Sequence, residues 1–71
     1  MKLHYCEDTD SLYIDLAASV SADSQEIADG LVIDYDEAGQ VVGIDIQHAS
    51  QRMDLTKIET DHLPIPARKI A

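Results

Sequence analysis

The sequence has no phenylalanine, no tryptophan and a single cysteine. Without Phe or Trp, three tyrosines carry all of the aromatic content, and no large ring is available to fill a core. With Cys6 alone, an internal disulfide is excluded, which fits a reducing compartment. A chain of 71 residues buries only about 60% of its extended surface. Domains this small lean on disulfides, a metal or association. Cys6 reads as a half-buried strand residue. A reactive thiol calls for basic neighbours, whereas Glu7, Asp8 and Asp10 follow it.

Long apolar runs are also missing. None approaches the ~20 residues needed to cross a bilayer. Met1-Lys2-Leu3-His4-Tyr5 lacks the apolar stretch of a secretory signal. The expectation is a cytoplasmic protein with no membrane contact.

Positive charge is scarce. Five Lys and Arg oppose fourteen Asp and Glu, for a net charge of −9. Residues 1–51 hold eleven acids and one base, Lys2, while residues 52–71 hold three acids and four bases. An acidic body repels phosphate backbones and anionic lipid, so direct nucleic-acid binding is not expected. A basic protein partner is easier to accommodate.

What is present is a run of short alternating segments. Lys2–Tyr5 is a strand with Leu3 and Tyr5 on one face. Glu7–Asp10 is a polar turn. Ser11–Leu16 alternates strictly, with Leu12, Ile14 and Leu16 on one side. Ala17–Asp23 is a small polar loop with Val20 tucked in, and Ser24–Ala28 is a weak strand. Asp29-Gly30 predicts a two-residue type I′ turn, with φ > 0 at both positions, leading into Leu31–Tyr35. Asp36–Gly39 is a second turn, with Gly39 left-handed. Val41–Gln47 follows, with Val42, Ile44 and Ile46 on one face. The period changes after Ala49. Ser50 is a helix N-cap candidate and Asp54 a second one. Leu55, Ile58 and His62 fall near one helical stripe, which predicts a helix of roughly ten residues. Pro64 and Pro66 end regular structure.

The fold expected is therefore α+β: a small antiparallel β-meander of about five strands with one short C-terminal helix packed on the apolar face. Residues 1–63 form the domain, and residues 64–71 are an extended, Pro-containing basic tail. The apolar face comprises Leu12, Ile14, Leu16, Leu31, Ile33, Val42, Ile44 and Ile46. A ten-residue helix is about 15 Å long and cannot cover five strands, which span about 19 Å. A homodimer is the natural completion.

No arrangement of residues carries a chemistry. Asp34-Tyr35-Asp36-Glu37-Ala38-Gly39 resembles the start of a calcium loop. However, Ala38 stands where a ligand oxygen belongs, Asp45 stands in place of the long bidentate Glu, and the flanks alternate like strands. Placing Tyr35 opposite Gln40 sets Asp34 opposite Val41. Asp45 is then four residues farther on, about 13 Å away at ~3.3 Å per residue, too far to act with Asp34 as a catalytic pair. His4, His48 and His62 lack metal-ligand spacing. The serines have no nucleophile-elbow context, and Gly30, Gly39 and Gly43 form no phosphate loop. No residue is assigned as catalytic, metal-ligating or cofactor-binding.

One ordered series of motifs does resemble a known family. It runs Leu12-Tyr13-Ile14-Asp15-Leu16, Glu26, Gly30, Asp34-Tyr35-Asp36, Gly39, Val42-Gly43-Ile44-Asp45-Ile46 and Ala49-Ser50. It resembles the domain-of-unknown-function 2283 family (DUF2283) of small bacterial and archaeal proteins over about residues 1–53. The resemblance carries over no catalytic residue. Some relatives are regarded as antitoxin-like partners of small toxins, which implies one alternative role.

The reading that follows is a non-enzymatic, self-associating cytoplasmic domain that binds another protein. The alternatives are an antitoxin-like inhibitor of a basic nuclease toxin, and a metal-binding or catalytic domain using Asp15, Asp34, Asp45 and the histidines.

Overall fold

A computed structural model of the chain describes residues 1–64. It contains five strands and one helical turn: β1 (Lys2–Cys6), β2 (Ser11–Asp15), β3 (Asp23–Ala28), β4 (Leu31–Tyr35), β5 (Val41–Gln47) and α1 (Ala49–Arg52). The strands form one antiparallel sheet in the order β1-β2-β5-β4-β3. The expected α+β class and five-stranded sheet are both present. β3, β4 and β5 run as a meander. The β1–β2 hairpin joins it on the free side of β5, so the last strand is the central one.

The register explains the apolar face. Side chains directly opposite in a sheet share a face. Leu12 pairs with Ile46, which pairs with Leu31, and Tyr5 lies beyond Leu12. A second row runs Leu3, Ile14, Ile44, Ile33. Each strand contributes its alternating apolar set, and the sheet assembles them into two parallel stripes.

The turns differ from expectation in one respect. Gly30 is left-handed at φ 77, but Asp29 is not among the residues with positive φ. The β3–β4 turn is therefore not type I′. A turn of the unprimed kind matches strand twist less well, and β3 carries an irregularity between Glu26 and Ala28 next to it. Gly39 is left-handed as expected, at φ 80. Val20 is 85% exposed and not tucked in.

The helix is much shorter than the apolar spacing predicts. α1 is a single turn of four residues, ended by an extended Met53 at φ −152. Two local effects stop it. Asp54 accepts hydrogen bonds from the Thr56 amide at 2.9 Å and the Thr56 hydroxyl at 2.5 Å. Such a local side-chain-to-backbone bond offers the chain an alternative to helix. A nucleus this short also gains little from its own hydrogen bonds. Ser50 lies inside the turn, and His48, left-handed at φ 55, occupies the N-cap position without a side-chain cap.

The missing cap comes from forty residues away. The Ala49 amide donates to the Asp10 carbonyl at 2.9 Å, and the Ser50 amide to Asp10 Oδ1 at 3.1 Å. At the other side, Arg52 donates through Nη2 to the Asp29 carbonyl. α1 is thus fastened to the β1–β2 and β3–β4 turns, and Ala49 between them is fully buried. A turn about 6 Å long held at the end of β5 does not cover the sheet. The expected packing of a helix across the apolar face does not occur. The basic-tail expectation falls, apart from Pro64, on residues 65–71, outside the described residues.

Candidate functional site

Two surfaces could carry function, one on each side of the sheet. The apolar side is incompletely covered. Of its eight expected side chains only Leu12 and Val42 are buried, at 8% and 3% exposure. Ile14, Leu31, Ile33, Ile44 and Ile46 are half-buried, and Leu16, Leu3 and Tyr5 are exposed. Met53 and Leu55 are half-buried in the irregular segment that follows α1. Among the described residues no large side chain is fully buried.

The other side is built around a glycine. Gly43 pairs with Asp15 of β2 and with Asp34 of β4. With no side chain at 43, Tyr13 crosses the central strand and donates its hydroxyl to Asp34 Oδ2 at 2.8 Å. A Cβ on residue 43 would stand 1.9 Å from the Tyr13 hydroxyl oxygen. Ser24 completes the chain by donating to Asp34 Oδ1 at 2.6 Å. One network therefore links β2, β4 and β3 across β5. The bond to Asp34, burial, and the charges of Asp34, Asp15 and Asp45 push the Tyr13 phenol up to about 12. A glycine inside a strand signals close approach of another group, and that was the one sequence clue to this network.

The register also moves the carboxylates. Asp34 lies opposite Gly43, not Val41, because the pairing shifts between Asp34 and Tyr35. Asp45 is consequently two residues along, about 7 Å at ~3.3 Å per residue, half the expected separation. Both acids face the same side as Asp15. Asp34 accepts one hydroxyl bond on each carboxylate oxygen and so anchors the network.

The calcium-like segment uses its carboxylate internally. Asp36 Oδ1 accepts from the Ala38 and Gln40 amides, each at 2.9 Å. That geometry closes the turn around Gly39. Two of the histidines lie near one another and the third apart. His4 lies on β1, His48 precedes α1, and His62 pairs with Asp61 at 3.4 Å in the exposed segment. His4, Cys6, Tyr13, Asp45 and His48 line an open groove of about 610 Å³. Among the described residues, no three His, Cys, Asp or Glu side chains converge to hold a metal.

Cys6 is exposed rather than half-buried. Hydrogen bonds from Thr9 lower its thiol from the ordinary 9.0 despite the acidic neighbours. Asp10 is the remaining organised group. It accepts the Tyr5 hydroxyl at 2.6 Å and the Ser50 hydroxyl at 2.7 Å, and these bonds hold its carboxyl below the usual 3.8. Its left-handed backbone, φ 52, suits a short polar side chain. The role of Asp10 is to join a hairpin to α1.

Among the described residues no helix is long and apolar enough to cross a membrane. No curated protein and no solved structure matches the chain. A family model described as a protein of unknown function does match, over residues 2–50. That span runs from the first residue of β1 to the Ser50 that Asp10 holds, and so contains the whole sheet, Gly43 and the Tyr13–Asp34 pair. The chain belongs to this family, DUF2283.

Proposed function

We propose that this domain is a non-enzymatic interaction module that associates with itself through its apolar sheet face. The observation that carries the reading is the state of that face. Five aliphatic side chains in two rows are only half-buried, and beyond the sheet itself the described chain forms no regular element but the four-residue α1. Bringing a Leu or Ile from half to full burial contributes about 1 kcal/mol, and a second copy supplies that to both chains at once. Two-fold stacking also directs the side bearing Asp15, Glu26, Asp34 and Asp45 outward, and with eleven acids against one base over residues 1–51 that arrangement suits a basic protein partner. The Asp34–Tyr13–Ser24 bonds support a structural use of the polar side over a catalytic one.

Light scattering after gel filtration, at micromolar protein and physiological salt, tests the association. The expected mass is twice the 7.8 kDa chain mass or a multiple of that. A single-chain mass would overturn the reading.

A further inference from the structure

The two edges of the sheet are not alike. β3 is guarded. It carries Asp23 and Glu26, is followed by Asp29, and is irregular between Glu26 and Ala28. Acidic side chains and bulges are the devices that keep an edge from pairing with another chain. β1, at the opposite edge, has no acid, no proline and no bulge; its one charge is Lys2, at the end of the strand. Its five residues, Lys-Leu-His-Tyr-Cys, are all exposed and pair with β2 in an unbroken register.

The geometry points to β1 as a second self-association surface that pairs antiparallel with β1 of another copy about a two-fold axis at His4. The strand is complementary to itself in this register. Leu3 stands opposite the other copy's Tyr5, His4 opposite His4, and Lys2 opposite Cys6. Opposite residues share a face, so the apolar rows of the two sheets become continuous at the seam. Leu3 and Tyr5, 41% and 48% exposed at present, cover one another. Pairing of two five-residue strands forms about four to six main-chain hydrogen bonds.

Charge selects this register. Lys2 is the single base within residues 1–51 and makes no ion pair among the described residues. Two-fold pairing at His4 carries it to the end of the other copy's β1, where Glu7 and Asp8 begin the acidic turn. The same operation brings the other copy's Lys2 to this Glu7 and Asp8. An equivalent pairing of β3 with itself would bring the Asp23 and Glu26 of each copy alongside a strand that also holds two acids and no base. The native thiols do not meet: Cys6 faces Lys2, and its counterpart lies about 13 Å farther along at ~3.3 Å per residue.

Edge pairing uses the free main-chain groups of β1, which face stacking does not, and the test keeps the two apart. In a Cys6→Ser background, His4→Cys places two thiols opposite one another on the axis, within reach of a disulfide. Gln25→Cys in the same background places one on β3. Under a glutathione redox buffer, the His4→Cys chain is expected to give at least tenfold more disulfide-linked dimer than the Gln25→Cys chain. Equal yields, or no dimer from either, overturn the edge pairing. Lys2→Glu provides a second reading with no thiol. It should raise the concentration needed for edge association about tenfold at low salt, with partial recovery at high salt, where the repulsion is screened. No change would overturn the register. A two-chain mass in light scattering without the His4→Cys crosslink leaves the face association standing and removes the edge. A crosslink formed by a chain that scatters as a single copy at micromolar concentration does the reverse.

Discussion

The two sides of this sheet are assembled from the same five strands by different means. The apolar side is a sum of local patterns: each strand places its own alternating aliphatics, and register only has to align them. The polar side depends on one position. Gly43 leaves room for Tyr13 to reach Asp34 two strands away, and Ser24 holds Asp34 from the far edge. A face made from many equivalent contributions tolerates loss at any one of them but not a buried charge. A face made from one crossing fails at the crossing.

The largest expected effect follows on the apolar side. Ile44→Asp places an unpaired charge between Ile14 and Ile33, which costs several kcal/mol. The variant should be unfolded by circular dichroism or fail to accumulate. Normal melting would show that the face is not the core.

Next comes the crossing. Gly43→Ala forces the Tyr13 ring aside and breaks its bond to Asp34, at a cost of about 1–3 kcal/mol in chemical unfolding. In a Tyr13→Ala background the same substitution should cost much less, since the obstructing ring is gone. Equal costs in the two backgrounds would separate Gly43 from Tyr13.

A smaller effect is confined to alkaline pH. The Tyr13 phenol is raised to about 12, against an ordinary 10.0. The folded chain therefore keeps a proton that the unfolded chain has released. The resulting stability is complete below about pH 10 and is lost as pH rises through about 12. Ultraviolet titration should show a tyrosine that ionises late, and Tyr13→Phe should remove that late step. If the step survives, it belongs to a different tyrosine.

The smallest expected effect is none. Asp36 is committed to the Ala38 and Gln40 amides, and Asp34 to two hydroxyls. Millimolar calcium should leave the melting temperature unchanged, because a cation without a site adds no linkage. A rise that follows calcium concentration would make the polar side an ion site rather than a hydrogen-bonded crossing.

The residues themselves determined the strands. Leu12, Ile14, Ile44 and Ile46 alternate with polar neighbours, and only a pleated strand puts such a set on one side. Gly39 likewise fixed its turn, because few other residues accept a positive φ. These are local constraints, and they are readable along the chain. Tertiary structure decided the rest. The position of β5 between β2 and β4 depends on pairing between strands far apart in sequence. The shift at Asp34 and Tyr35, which halves the distance between Asp34 and Asp45, exists only once those strands have met. The helical stripe after Ala49 was legible yet misleading. Asp54 found Thr56 nearby, while the cap for α1 came from Asp10 across the sheet. A hydrogen-bonding side chain takes whichever partner the fold brings within about 3 Å, and sequence spacing does not contain that distance.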